Sequence, residues 1–438
     1  MELLKRKIDE FLSEWKQNPD RLPLIVKGAR QVGKTASIRQ FGESNYTNVV
    51  EINFLLQKQY CDIFDDGFET DTIIRNITLH NPELEFIPGE TLIFFDELQA
   101  CINCATSLKS FKQDGRYDVI CSGSLMGINY NEIESNSVGY KEDYEMYSLD
   151  FEEFLWANGI EAPVIQYLTE CLKKETPVAE ALHEKLRQLL LQYAVVGGMP
   201  AVVQTFVDTH QMNTVLRLQR GILSDYEDDM VKYADDKDKP FIRECFQSIP
   251  RQLSKENKKF QYSVVKKGAT ASKFSGSLQW IEDAGIIRRC YNLTLPELPL
   301  DGNAIQDIFK VYMVDSGLLI AMLEDGTQFD VLQGNLYGYK GAIFENLAAD
   351  ILAKMGRKLY YFHKDSGLEI DFVMRYAGQS TLLEVKASTG NTKSAKTVLN
   401  HPEKYHVGGA IKLGDYNVGR AGQILTLPFY MAFLLTAF

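Results

Sequence analysis

Residues 28–35, Gly28-Ala29-Arg30-Gln31-Val32-Gly33-Lys34-Thr35, fit the spacing G-x-x-x-x-G-K-[ST]. That pattern suits a nucleoside triphosphate. Glycines let the backbone turn tightly enough to point successive N–H groups at phosphate oxygens. Lys34 can then reach the β- and γ-phosphates, and Thr35 can offer its hydroxyl to Mg2+. The flanking chain has the order this chemistry needs. An apolar run at 22–26 reads as a strand, and Ala36 to Phe41 reads as a helix whose N-terminus adds partial positive charge beside the loop.

A partner for the loop follows at 91–97. Thr91-Leu92-Ile93-Phe94-Phe95 is a continuous apolar run, as in a strand buried on both faces, and it ends in Asp96-Glu97. Acids at the carboxyl end of a parallel strand stand at the ligand-binding edge of its sheet. Asp96 is expected to hold Mg2+ through water, and Glu97 to orient and deprotonate the attacking water. A further strand at 117–121 ends in Ser122-Gly123-Ser124. Ser122 or Ser124 could sense the γ-phosphate, and a plain strand-end turn is the alternative. Cys101-Ile102-Asn103-Cys104 has C-x-x-C spacing but no second pair, so it reads as two small buried residues.

A second constellation lies near the C-terminus. Ala342 to Ala353 reads as a helix carrying Glu345. A strand at 369–374, a turn at Ala377-Gly378 and a return strand at 381–386 read as a hairpin. A two-residue loop there places Asp371 opposite Glu384, with Cβ atoms about 4.5–5.5 Å apart, where like charges repel unless something sits between them. A divalent metal would explain the pair, and Lys386 points to the same face as Glu384. Glu345, Asp371, Glu384 and Lys386 together form the D…E-x-K pattern of the PD-(D/E)xK nuclease fold, in which metal activates water against a phosphodiester. An ordinary ion network, or a degenerate fold that keeps the residues for structure, is the alternative.

The composition is that of a globular protein, with 45% hydrophobic and 24% charged residues in 438. It excludes global disorder, collagen-like repeats and a disulfide scaffold. At roughly 100–200 residues each, two to four domains are expected. No apolar stretch is long enough for a membrane span, the N-terminus has no signal-peptide core, and seven scattered cysteines fit a reducing compartment. These features predict a cytoplasmic location and no membrane partner. The net charge of −12 argues against a dedicated nucleic-acid coat. The charge is uneven, however. Residues 331–438 hold 12 Lys+Arg against 8 Asp+Glu, a local +4 that leaves −16 on the rest. A second basic cluster comprises Arg251, Lys255, Lys258, Lys259, Lys266, Lys267 and Lys273. Helices followed by strands at 286–293 and 309–314 form a winged-helix pattern, whose lysines could lie on DNA phosphates or simply be solvated.

In this order the motifs resemble those of the prokaryotic AAA+ superfamily predicted ATPases, with an AAA_14-type ATP-binding core and a C-terminal DUF4143 domain. The strings are GARQVGKT at 28–35, FFDELQ at 94–99, FEEFL at 151–155, GGMP at 197–200, WIEDAGII at 280–287, YMVDSGLL at 312–319, FEN at 344–346, EIDFV at 369–373 and LEVKAS at 383–388. The resemblance implies an α/β protein: a RecA-like P-loop ATPase core at 1–150, a helical lid at 151–245, a winged-helix domain at 246–330 and a restriction-endonuclease-like α/β domain at 331–438. It also selects ATP as the nucleotide, with Mg2+. Relatives often carry Gly-Arg before FEEFL, a candidate trans-acting arginine, whereas this chain has Gly139-Tyr140-Lys141. Lysine lacks the bidentate fork of arginine. The function expected is a slow Mg2+-dependent ATPase whose nucleotide state moves its C-terminal domains. An ATP-gated metal-dependent DNA nuclease and a non-hydrolysing nucleotide switch or scaffold are the alternatives. DNA is a candidate partner through the last two domains, and a homo-oligomer is compatible with the sequence.

Overall fold

Successive residues of the 92–95 run face opposite ways, and both sides are covered. Leu92 and Phe94 pack with Leu24, Val26 and Ile120 against the helix residues Leu12, Ile38 and Phe41. Ile93 and Phe95 pack with Ile25, Val50 and Val119 against Ile73, Leu108 and Phe111. The result, in the computed structural model, is a sheet sandwiched between helices. Residues 3–125, 139–234, 237–254, 259–335, 339–387, 390 and 392–436 are described. The chain divides into two compact units, Met1–Ser148 and Leu149–Phe438.

The first unit runs α1 (Lys7–Gln17), β1 (Leu24–Gly28), α2 (Lys34–Asn45), β2 (Asn48–Asn53), α3 (Thr70–His80), β3 (Thr91–Asp96), α4 (Asn103–Asp114), β4 (Asp118–Ser124) and β5 (Glu142–Glu145). Its strands are ordered β2-β3-β4-β1-β5, all parallel. β4 therefore lies between β1, which leads into the phosphate loop, and β3, which ends in Asp96. The carboxyl ends of all three meet at one edge, where ligands bind in such sheets.

The second unit opens with helices Phe151–Ala157, Ala162–Lys174, Glu180–Val196, Pro200–Thr209 and Met212–Tyr233. Helix Lys239–Leu253 follows and runs through the expected boundary at 245/246. It is joined by Tyr262–Val265 and Ala271–Asp283, and then by the antiparallel pair β6 (Ile287–Leu293) and β7 (Ala304–Met313). This is the succession expected of a winged helix, but β6 also pairs in parallel with β8 (Leu359–His363). The hairpin is thus built into a sheet with the C-terminal region, in the order β7-β6-β8-β9, and is no free wing. After β9 (Glu369–Ile370), Asp371 alone separates it from β10 (Phe372–Tyr376). There the chain passes into a second sheet, completed by β11 (Gln379–Val385), β12 (Gly409–Gly414), β13 (Gly419–Ala421) and β14 (Ile424–Pro428), in the order β10-β11-β12-β14-β13. β10 and β11 pair with Tyr376 opposite Gln379 around the Ala377-Gly378 turn.

Several of the quoted strings serve this architecture. In GGMP, a Cβ on Gly197 would lie 2.0 Å from Asp315 Oδ1, and one on Gly198 2.0 Å from the Leu149 carbonyl. The Gly198 N–H donates to Asp315 Oδ2 at 2.8 Å, while Asp315 Oδ1 caps the helix that starts at Ser316. Glu153 of FEEFL forms a reciprocal capping box with Asp150, the residue just before the string. In FEN, the Asn346 amide both accepts from and donates to the Met313 backbone. Among the described residues, no helix is long and apolar enough to cross a membrane. Because backbone blocks the Gly198 position, Gly198→Ala should destabilise the chain by about 1–3 kcal/mol, the usual cost of overpacking, read as a lower urea midpoint.

Candidate functional site

β1 delivers the phosphate loop at Gly28, where any side chain would strike the Met146 carbonyl at 2.1 Å. The turn is completed by Gln31 and Gly33, both at positive φ (63° and 99°). Lys34 is the first residue of α2. Its Nζ donates to the carbonyls of Gly28 (3.0 Å) and Ala29 (2.7 Å), so it lies curled over the loop. Burial lowers its pKa to about 8, against the attraction of Glu97 and Asp96. Val32 is buried beneath the loop, and its carbonyl accepts from Arg6 Nη1 at 2.9 Å. Ala29, Arg30 and Ala36 lie on or beside the same turn.

Asp96 is 2% exposed and gathers donors from three neighbouring elements. Thr35 Oγ1 lies 3.2 Å from Oδ2, Asn53 Nδ2 lies 2.9 Å from the same oxygen, and Ser122 donates to Oδ1. The Thr35 hydroxyl and Asp96 carboxylate are hard oxygen donors side by side, a set that fits Mg2+. Glu97 leaves the strand at φ 60°. Gln31 and Glu97 are the only described non-glycine residues of the first unit at positive φ, and both belong to this edge. Such backbone clusters at functional sites. Gln99 donates to the Glu97 carboxylate and accepts from the Ser124 N–H at 3.2 Å.

The structure thus brings together Lys34, Thr35, Asp96, Glu97, Ser122 and Ser124. Ser122 engages Asp96 directly, and Ser124 reaches Glu97 through Gln99. Arg6, Asn53 and Gln99 were missed by the motif reading. Arg6 also donates to the Tyr147 carbonyl at 2.7 Å and so braces the loop from the start of α1. Asn53 closes the strand beside β3, and a polar residue ending an apolar strand was the signal for it. Gln99 sat in the FFDELQ string.

The C-terminal residues also converge. Asp371 Oδ2 accepts from the Val385 N–H (2.8 Å), and Glu384 accepts from the Ala395 N–H (2.9 Å) and Lys386 Nζ (2.9 Å). Lys386 is 4.0 Å from Asp371. Glu345 on helix Lys340–Lys354 accepts from Lys310 Nζ at 2.9 Å and from the Tyr312 hydroxyl. Burial, then repulsion from Glu345, raises the Asp371 pKa to about 6, opposed by Lys310 and Lys386. Lys310 is held above its usual range although burial alone would lower it, because Glu345, Glu369 and Asp371 surround it. Neither Lys310 nor Tyr312 belongs to the D…E-x-K pattern. Among the described residues, no group of three or more His, Cys, Asp or Glu could hold a metal ion.

Other candidates resolve into structure. Cys101 and Cys104 are buried in the α3–α4 side of the first core, and burial pushes both thiols well up. Lys141 pairs with Asp143 at 2.6 Å. In the second basic cluster Lys266 pairs with Glu244 and Lys273 lies over the Phe241 ring, while Lys255 and Lys258 fall outside the described residues.

Comparison with known proteins agrees with this geometry. Residues 20–155 match the family model for an AAA domain, and 340–430 match a domain of unknown function, DUF4143. Residues 187–328 match a further domain of unknown function, DUF8612, which covers the later part of the expected lid and nearly all of the expected winged-helix region. No curated protein matches the sequence. Among solved structures the chain is similar to the Walker-type ATPase of Pyrococcus abyssi, at 13% identity over 73% of this chain and 96% of that one (TM-score 0.44). It is also similar to RuvB of Thermotoga maritima, at 11% identity over 66% and 90% (TM-score 0.33). The Orc1 protein of Aeropyrum pernix in complex with DNA shows 11% identity over 75% and 91% (TM-score 0.28). The motif resemblance holds: this is an α/β chain with an AAA-type P-loop ATPase domain and a DUF4143 region.

The Lys34 pKa of about 8 gives nucleotide binding a pH signature. Phosphate binds the charged form, so affinity should be level below about pH 8. Above it, affinity should fall by up to about tenfold per pH unit, until the higher pKa of the phosphate-bound ammonium is reached. Titration with a fluorescent nucleotide analogue across this range checks it.

Proposed function

From the premise of an AAA domain joined to DUF4143, we propose that this chain binds ATP with Mg2+ and hydrolyses it slowly, and that its nucleotide state governs the C-terminal unit. The observation that carries the reading is the hydrogen bond between Thr35 and Asp96 beside Lys34. It joins the phosphate loop to the acidic strand at the place where a triphosphate and its cation would sit.

The backbone of 28–35 and Lys34 hold the phosphates. Thr35 and Asp96 hold the cation, which when bound supplies neutralisation of the charge that develops on the transferred phosphoryl group. Asn53 and Ser122 orient Asp96 by donating to its carboxylate oxygens. Glu97 orients the attacking water and takes its proton. Gln99 holds the Glu97 carboxylate through its amide, so Glu97 must exchange that partner for water before it acts. Slow turnover follows, since Lys141 is engaged with Asp143 and is a poor substitute for a trans-acting arginine.

Lys34→Ala should abolish ATP binding; unchanged affinity by equilibrium titration would remove the loop from its role. Glu97→Gln should keep ATP affinity and cut phosphate release by at least roughly tenfold, the low side of what a general base contributes. Tight binding by a wild-type chain that releases no phosphate would leave the nucleotide-switch reading in its place.

A further inference from the structure

Four carboxylates, Glu345, Glu369, Asp371 and Glu384, gather where the chain passes from β9 to β10. The arrangement resembles a metal centre, but a cation of the chain's own already occupies it. Lys310 on β7 is 1% exposed, and its Nζ lies 2.9 Å from Glu345 Oε1 and 2.9 Å from Glu369 Oε1. We propose that Lys310 is the resident cation of this cluster, standing where a divalent ion would bind. The carboxylates then form a fixed ion network that fastens β7 to helix Lys340–Lys354, and do not form a metal-dependent nuclease centre.

Three features support the assignment. First, a buried ammonium is costly unless it is paired and hydrogen-bonded, so Lys310 needs these carboxylates. A metal that drew Glu345 away would leave the ammonium uncompensated. Second, Mg2+ demands oxygen ligands at about 2.0–2.1 Å in near-octahedral geometry, and one oxygen each of Glu345 and Asp371 and both of Glu384 already accept hydrogen bonds. Tyr312 donates to Glu345, the Val385 N–H to Asp371, and the Ala395 N–H and Lys386 to the two oxygens of Glu384. Third, Lys386 already supplies the lysine of the E-x-K string. Lys310 is therefore an additional cation, and a divalent ion near Glu345 would repel it at close range. This inference is independent of the nucleotide site.

The test is Mn2+ binding, followed by electron paramagnetic resonance, in the full chain carrying Asp96→Asn so that the phosphate-loop cation site does not contribute. The parent should show no Mn2+ site that Asp371→Asn weakens, and no Mn2+-dependent plasmid cleavage that Asp371→Asn removes. Either effect would overturn the proposal, and neither measurement requires a change at Lys310. Lys310→Met vacates the position without adding charge. A folded Lys310→Met chain should gain an Mn2+ site that the parent lacks, at least tenfold tighter than the parent's residual Mn2+ binding, and should lose that site when Asp371→Asn is added. A folded variant with no gain would show that Lys310 does not hold the ion's place.

Discussion

The buried carboxylate of Asp96 is the constraint around which the nucleotide edge is arranged. A charge removed from water to 2% exposure must be met by donors or it destabilises the fold by several kcal/mol. Here the donors come from Thr35 on α2, Asn53 on β2 and Ser122 on β4. Meeting the charge therefore sets the spacing of the phosphate loop, the acidic strand and the strands on either side of β3. The insertion of β4 between β1 and β3 makes this workable. It places a hydroxyl beside Asp96 and a backbone N–H within reach of Gln99. Glu97 is turned out of the strand by its left-handed backbone, so its carboxylate is directed apart from that of Asp96, as the proposed division between cation and water requires.

The second unit uses buried polar groups for a different purpose. Asp315 binds the Gly198 N–H and caps the following helix; a Cβ on Gly197 would enter the space of its carboxylate, and one on Gly198 would strike the Leu149 backbone. The Leu149 carbonyl accepts from both Tyr193 and Lys354, which ties helix Glu180–Val196 to helix Lys340–Lys354. Lys354 also pairs with Asp350, whose pKa burial raises to about 7. Strings that look chemical in one dimension are here cap, clamp and close-packing devices. The capping box at the start of FEEFL and the amide pair made by Asn346 belong to the same class.

How much was legible followed from sequence distance. The phosphate loop, the acidic strand and the hairpin register at Ala377-Gly378 could be read because each depends on a few consecutive residues. Helix Ala271–Asp283 was legible from the spacing of Phe274, Leu278 and Ile281, all buried. The β6–β7 hairpin was legible as two strands, but the use of its other edge to pair with β8 was not, since nothing within β6 specifies a partner sixty-nine residues on. Arg6 was invisible for the same reason, as its acceptors are the carbonyls of Val32 and Tyr147.

By itself the sequence determined the nucleotide loop and its acidic partner, because eight residues of backbone turn and one apolar run with acids at its end are local patterns with few other uses. It determined also that carboxylates and a lysine would gather near Asp371. Only the tertiary structure decided which cation they serve. Lys310 is separated by thirty-five residues from Glu345 and by fifty-nine from Glu369. Its charge enters the cluster only when β7 packs against helix Lys340–Lys354. A buried charge is decided by everything that surrounds it, and a motif names only part of that surrounding.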